Sequence, residues 1–254
     1  MTRSGSHNLC CLISKFKFKF KFLRQNVGIV FLILVRIISY VHMYHMRDAN
    51  FFFVFHLHTM RVALFQGKPP VAEVCDFEVS VSHLKRLAID AKRSDASILV
   101  TPELFMGGYR TEDIDAIDPN NRLRKIANIA RDVSINMIIG FPEKLENDQV
   151  ANSAAAIDRN GRVLGIYRKT HLFGMEENAA FVKGESLSNL FHFDGICIGI
   201  LICYDVEFPE AVRTVKMNGA DVIIVPTANF HPYDFINDYI IQVLVLRPIA
   251  VHNW

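Results

Sequence analysis

Cys203 stands where a protein can present a nucleophile. It closes the apolar run at residues 198–202 and is followed by a short turn and Pro209, a residue typical of the first turn of a helix. A thiol at the end of a buried strand lies at the edge of a sheet, where the turn can offer the backbone N–H of Tyr204 to an oxyanion. The residues alone leave open a second interpretation, a core cysteine that closes a strand. We expect Cys197, earlier in the same run, to be such a core residue.

Two charged residues follow other predicted strands. Glu103 is the first charge after the apolar run that ends at Val100, and Lys169 follows the run that ends near Tyr167. A lysine beside a thiol favours thiolate and is expected to lower the pKa of Cys203 toward neutrality, while a carboxylate can carry the proton. Either charge, taken alone, is equally compatible with a solvated strand end. Together with the thiol, they favour nucleophilic hydrolysis.

Short apolar runs alternate with helical spacings from Met60 onward, which predicts an α/β domain. The pair Asn160-Gly161 between two strand-like runs predicts a hairpin, so the sheet should be mixed. Strands are predicted at residues 62–65, 98–100, 137–141, 154–158, 163–167, 191–193, 196–203 and 222–225, and helices around 81–88, 123–133 and 209–219.

Several motifs occur in an order that resembles the nitrilase superfamily, the carbon-nitrogen hydrolases. The resemblance covers Met60 to about Tyr239. The motifs are Pro102-Glu103-Leu104 with Gly108-Tyr109, then Tyr167-Arg168-Lys169-Thr170-His171-Leu172-Phe173, then Cys203-Tyr204-Asp205-Val206-Glu207-Phe208-Pro209-Glu210, and last Pro226-Thr227-Ala228-Asn229.

The resemblance implies a fold and a reaction. The fold is α/β, a four-layer α-β-β-α sandwich of the nitrilase type. The reaction is hydrolysis of a non-peptide C–N bond, amide to acid plus ammonia, through a cysteine thioester. By resemblance Glu103 is the general base, Lys169 stabilises the tetrahedral intermediate and Cys203 is the nucleophile.

Further roles come from the same resemblance. Glu177, rather than the adjacent Glu176, would orient the substrate, and the Tyr204 amide would help to hold the oxyanion. Tyr109 and Asn229 are expected in the pocket. No metal or organic cofactor is implied, and the family usually forms homodimers. The turn after the cysteine resembles aliphatic amidases more than nitrile hydrolases, although nitrile and carbamoyl substrates stay open.

Charge is distributed unevenly along the chain. Residues 1–59 carry eight basic and one acidic side chain, a net charge of +7, whereas residues 60–254 carry twenty and twenty-five, a net charge of −5. An acidic body argues against nucleic acid as a partner, because binding phosphates needs clustered cations. We therefore divide the chain into a cationic, Phe-rich leader at 1–59 and a hydrolase domain at 60–254.

The leader and the cysteines are the features of the sequence from which the cellular compartment is predicted. The leader holds the alternating run KFKFKFKF at residues 15–22 and an apolar run at 27–35, and it is compatible with a targeting segment, a membrane anchor or a non-native extension. The five cysteines show no CxxC pair and no regular spacing, which favours a reducing compartment and predicts no zinc site. We expect a cytoplasmic protein, with organelle or membrane targeting as the alternative.

Two other functions stay open from the sequence. Family members continue beyond the strand at residues 222–225 with more strands than this chain supplies, so an incomplete sheet is expected, and the chain could be a catalytically idle interaction subunit. A Cys-His thiol hydrolase, with His171 or His231 as base, is the other alternative, since both histidines follow strands.

Overall fold

A computed structural model describes residues 27–34, 40–45, 51–57, 60–67, 76–109, 111–112, 114–187 and 189–229, with the backbone alone for the first three ranges and for Asn229. The helices are α1 (Phe77–Arg93), α2 (Arg122–Val133), α3 (Gly174–Ala180) and α4 (Pro209–Met217). The strands are β1 (Val27–Leu34), β2 (Tyr40–His45), β3 (Phe51–Leu57), β4 (Met60–Gln66), β5 (Ile98–Val100), β6 (Asn136–Lys144), β7 (Val150–Ile157), β8 (Val163–Arg168), β9 (Leu190–Phe193), β10 (Ile196–Ile200) and β11 (Val222–Asn229).

The described strands form two sheets. A seven-stranded sheet has the order β2-β3-β4-β5-β6-β7-β8, and a four-stranded sheet has the order β1-β11-β10-β9. β4, β5 and β6 are parallel neighbours, while β7 and β8 are antiparallel. The predicted hairpin connects β7 to β8, with Gly161 in the left-handed region at φ 78°. The sheet is mixed, as predicted.

Both faces of the larger sheet are buried, and alternate residues of its strands pack against different layers. Val62 and Leu64 of β4 belong to the core that also holds the apolar residues of the smaller sheet, whereas Ala63 and Phe65 pack with α1 and α2. Side chains alternate across a strand, so one face of this sheet meets the other sheet and the opposite face meets helices. Helix α1 begins at its N-cap Asp76, whose carboxylate accepts the backbone N–H of Glu78 at 2.8 Å.

The smaller sheet is covered on its outer side by α4. Ala211, Val212 and Val215 of this helix are buried in the same core as the residues of β10 and β11. The order of layers is therefore helix, sheet, sheet and helix. The predicted α/β fold with four layers is confirmed.

Strands also occur before Met60. β1 pairs antiparallel with β11, and β3 pairs antiparallel with β4. The division of the chain at residue 60 stays a prediction. The KFKFKFKF run and His231 lie outside the described residues. Within the part of the chain that the structure describes, no helix combines the length and the apolar character needed to cross a bilayer.

Candidate active site

Glu103 is buried at the centre of the candidate site. It follows β5 by three residues, and its side chain has no exposed surface. One carboxylate oxygen, Oε1, accepts hydrogen bonds from Lys169 Nζ at 2.7 Å and from Asn152 Nδ2 at 2.8 Å. The other, Oε2, accepts the backbone N–H of Ala228 at 2.9 Å. Three elements therefore hold this carboxylate: β7, the segment after β8, and β11.

The turn that carries Glu103 is packed tightly against β6. A Cβ added at Gly140 would lie 2.2 Å from the carbonyl oxygen of Pro102 and 3.0 Å from Cα of Glu103, so only glycine permits this approach. Leu104, the next residue, has φ 51°, a left-handed conformation that is costly for a branched side chain. Backbone strain of this kind is maintained only where the surrounding packing enforces it.

Lys169 connects two carboxylates. It directly follows β8, is fully buried, and donates from Nζ to Glu103 at 2.7 Å and to Glu177 at 2.9 Å. Burial would lower the pKa of this ammonium, but the carboxylates, chiefly Glu103, outweigh burial and hold the pKa above its ordinary value. The surroundings therefore favour the charged form of Lys169.

Glu177 lies on α3 and points inward. Its carboxylate accepts the Lys169 ammonium, the Tyr109 hydroxyl and the backbone N–H of Phe173, the last at 2.7 Å. Glu177 is buried whereas Glu176 is exposed, because successive residues of a helix point in different directions. The structure thus places Glu177, and not Glu176, against Lys169.

Cys203 opens a short 3₁₀ helix, Cys203–Glu207, three residues beyond the end of β10. The prediction that the strand reaches Cys203 is wrong: β10 ends at Ile200, Leu201 still donates its backbone N–H to Ile224 of β11 at 3.1 Å, and the 3₁₀ helix begins at Cys203. Cys203 has φ 44°, again a left-handed conformation, and its thiol lies within electrostatic reach of Glu103 and Lys169. The backbone conformation of this strained turn, and not side-chain packing alone, therefore sets the direction of the Cys203 side chain.

The surroundings of the Cys203 thiol favour its protonated form. Desolvation raises the pKa of Cys203 well above its ordinary value, although the residue keeps some accessible surface, and the negative charge of Glu103 raises it further. Lys169 lowers this pKa, but by less. The prediction that Lys169 brings the thiol pKa toward neutrality is therefore wrong. The pKa of Glu103 is itself raised, mainly by burial. A carboxylate of raised pKa close to a thiol has the chemistry needed to accept the thiol proton.

The remaining predicted residues have different surroundings. Tyr109 donates to Glu177, and burial raises the pKa of its hydroxyl. Tyr204 is half-buried and makes edge contacts with Phe173 and Phe208, at ring-centre distances of 5.2 and 5.1 Å. The backbone of Asn229 ends β11, and its side chain lies outside the described residues. The roles predicted for these residues stay predictions.

The His171 ring contacts Asp205 and Phe208. Its Nδ1 lies 2.9 Å from Oδ1 of Asp205, and its ring stacks on Phe208 with centres 3.9 Å apart. Because a carboxylate only accepts, Nδ1 carries the proton. In the described residues Glu103 is the carboxylate whose charge acts most on Cys203, and His171 is held by Asp205, which disfavours the Cys-His alternative with His171.

Two buried polar residues in this region were missed from the sequence. Asn152, on β7, bonds Glu103, and Asp205 accepts several hydrogen bonds near Cys203. A polar residue in an otherwise apolar strand, as Asn152 is in Val150–Ile157, was the available signal. Within the described residues, no cluster of three or more histidine, cysteine or carboxylate side chains could hold a metal ion.

A four-layer α/β sandwich with a buried carboxylate–ammonium pair and a half-buried thiol within its electrostatic reach is an arrangement that suits a hydrolase. Over residues 61–237 the sequence matches the carbon-nitrogen hydrolase family, and the chain belongs to that family. It is 40% identical over 189 residues to a hydrolase in the pqqF 5' region of Pseudomonas protegens, covering 72% of this chain and 65% of that protein. It is 32% identical over 164 residues to N-carbamoylputrescine amidase of Solanum tuberosum, covering 60% of this chain and 54% of that protein.

The chain is also similar to solved structures of an amidase. The amidase from Nesterenkonia sp. AN1 in complex with butyramide is 33% identical, with a TM-score of 0.59, over 66% of this chain and 65% of that chain. A variant of that amidase with acrylamide added to its active-site cysteine is 30% identical, with a TM-score of 0.63, over 76% of this chain and 75% of that chain. The chain thus spans about two thirds, or less, of the first curated relatives, 65% and 62%.

Proposed function

We propose that this chain is an amidase-type hydrolase that uses Cys203 as nucleophile, Glu103 as general base and Lys169 as oxyanion stabiliser. The observation that carries the proposal is the position of Glu103: its carboxylate accepts Lys169 Nζ at 2.7 Å, and it lies close enough to the Cys203 thiol for its charge to raise the pKa of that thiol. A nucleophile, its base and a fixed cation within hydrogen-bonding reach are what acyl transfer requires.

The first half of the reaction forms a thioester. The Cys203 sulfur attacks the amide carbon while its proton passes to Glu103, and the carbonyl oxygen becomes an oxyanion. Lys169 and the backbone N–H of Tyr204 would stabilise that charge. Glu103 then gives its proton to the nitrogen, the C–N bond breaks, and ammonia leaves. The raised pKa of Glu103 supports this role, since a stronger base accepts the thiol proton more readily.

The second half consumes water. Glu103, now ionised, removes a proton from a water molecule, whose oxygen attacks the thioester carbon. The second tetrahedral oxyanion lies where the first one did and is stabilised by the same groups. Collapse expels the Cys203 sulfur, which recovers its proton from Glu103, and releases the carboxylic acid.

Short aliphatic amides are the substrates that we propose. The butyramide complex of the Nesterenkonia amidase supports this class, and the carbamoyl-cleaving relative from Solanum tuberosum makes carbamoyl compounds the second class to assay. Glu177 would orient the substrate, because Lys169 and the Tyr109 hydroxyl already fix its carboxylate. The homodimer and the cytoplasmic location predicted from the sequence remain part of this proposal.

Ammonia release tests the proposal. The purified chain is incubated with butyramide, propionamide and N-carbamoylputrescine, and ammonia is measured. We expect release that Cys203→Ala abolishes and Cys197→Ala leaves unchanged, because Cys197 lies on β10 away from Glu103. A folded chain that releases no ammonia from any of these compounds would favour the idle interaction subunit instead.

A further inference from the structure

Asp205 is a fully buried carboxylate that accepts six hydrogen bonds. Its Oδ2 accepts the Tyr167 hydroxyl at 2.8 Å and the backbone N–H of Ile202 at 3.0 Å. Its Oδ1 accepts the backbone N–H and the hydroxyl of Thr170, at 3.2 and 2.9 Å, and the backbone N–H and Nδ1 of His171, at 2.8 and 2.9 Å. The mechanism above does not use this carboxylate.

The donors come from the two segments that carry the reacting groups. Tyr167, Thr170 and His171 flank Lys169 on both sides. Ile202 immediately precedes Cys203, and Asp205 lies in the same 3₁₀ helix as that cysteine. One side chain therefore ties the Tyr167 hydroxyl and the backbone after Lys169 to the backbone of the Cys203 turn.

We infer that Asp205 is a positioning residue that sets the placement of Lys169 relative to Cys203. The inference rests on the proposed function, since it assigns a purpose to that placement. Lys169 follows β8 of the larger sheet and Cys203 follows β10 of the smaller sheet, so no common strand fixes their separation. The hydrogen bonds of Asp205 supply that connection across the two sheets.

The charge of Asp205 matters as well as its shape. A carboxylate accepts at both oxygens, whereas an amide of the same shape must present an NH₂ group to one set of donors. In Asp205→Asn, the amide nitrogen would face either the N–H of Ile202 or the N–H groups of Thr170 and His171. Some donors would then be left buried without an acceptor, and the two segments would separate. A displacement of about 1 Å in a reacting group costs on the order of a hundredfold in rate.

The test compares Asp205→Asn with Asp221→Asn. Asp221 is a matched control, because it is a half-buried aspartate that also accepts a backbone N–H, that of Cys197 at 3.0 Å, but it touches no segment of the site. Three quantities are measured: kcat and KM for butyramide, the melting temperature, and the rate at which iodoacetamide labels Cys203 at fixed pH.

We expect Asp205→Asn to lower kcat on the order of a hundredfold with a much smaller change in KM, and to slow labelling of Cys203 in the same direction as Lys169→Ala. Asp221→Asn should lower the melting temperature and leave kcat and labelling unchanged. Tyr167→Phe removes a single donor to Asp205, and it replaces Asp205→Asn as the test if that variant does not fold. It should give a smaller loss of kcat, and its effect should not add to that of Asp205→Asn.

The inference would be overturned if folded Asp205→Asn kept the kcat and the labelling rate of the wild-type chain. If Asp205→Asn does not fold, unchanged values of both quantities in Tyr167→Phe would overturn it. Equal losses of kcat in Asp205→Asn and Asp221→Asn would also overturn it, since the effect would then follow stability alone. If the wild-type chain hydrolyses no amide, that result counts against the proposed function. Labelling of Cys203 does not require turnover, so the labelling comparison would still decide the role of Asp205.

Discussion

Lys169 Nζ lies 2.7 Å from Glu103 Oε1, and neither side chain has any exposed surface. Burying two charges costs desolvation energy that their attraction often does not recover, so such a pair is weak support for stability. Here the ammonium also contacts Glu177 at 2.9 Å. A site that keeps one cation between two carboxylates beside a thiol is better explained by catalysis than by folding.

Replacement of Lys169 tests its role in holding the oxyanion. Lys169→Gln keeps a hydrogen-bond donor but removes the charge, and we expect kcat for butyramide to fall on the order of a hundredfold or more. Lys183→Gln is the control, because Lys183 is exposed. Steady-state ammonia release measures both variants, and circular dichroism confirms that they fold. Turnover of Lys169→Gln equal to that of the control would remove Lys169 from the mechanism.

The pH dependence of activity should reflect the raised pKa of Glu103. Burial raises this pKa, and only the ionised carboxylate can accept the thiol proton. The acid limb of kcat/KM should therefore lie at higher pH than the pKa of an ordinary glutamate, about 4.3. A profile for butyramide hydrolysis between pH 4 and pH 10 measures it. An acid limb at the ordinary value would contradict the assignment of Glu103 as a buried base.

Labelling of Cys203 gives an independent pH profile. Alkylation requires thiolate, and desolvation together with Glu103 raises the thiol pKa, so the labelling rate should rise at higher pH than for an ordinary cysteine. Glu103→Gln removes one raising charge and should move the profile to lower pH. Lys169→Gln removes the lowering charge and should move it to higher pH. Peptide mass mapping with iodoacetamide measures these shifts, and a profile near neutrality that neither variant changes would contradict the electrostatics.

Glycine at position 140 should be necessary for the Glu103 turn. In Gly140→Ala, the new Cβ would meet backbone atoms of residues 102–104, which cannot move without displacing Glu103. We expect a loss of kcat on the order of a hundredfold. Gly165→Ala is the control, since the atoms nearest to its Cβ would belong to the side chain of Phe191 and not to the backbone that carries Glu103. Equal kcat values in the two variants would show that the turn tolerates the displacement.

Much of the fold could be predicted from periodicity, because strands β4 to β8 and helices α1, α2 and α4 carry local patterns of buried residues. The pairing of β1 with β11 could not, since it joins residues about two hundred positions apart and has no local signature. Cys203, Lys169 and Glu103 were found from their places after apolar runs. The pKa of Cys203 was predicted in the wrong direction, because desolvation depends on groups that the fold brings together.

Asn152 and Asp205 were missed for a related reason. A single polar residue in a strand or turn is compatible with a solvated position, and its meaning depends on which donors surround it. Asn152 becomes significant only when β7 lies beside Glu103, and Asp205 only when the segment after β8 meets the Cys203 turn.

Covalent capture of the intermediate tests the central claim most directly. The chain is mixed with butyramide, quenched with acid during turnover, digested, and analysed by mass spectrometry. The account predicts a butyryl thioester on the peptide that contains Cys203, present in Cys197→Ala and absent in Cys203→Ala. Hydrolysis of butyramide with no acyl adduct on Cys203 at any quench time, or with full activity retained in Cys203→Ala, would contradict it.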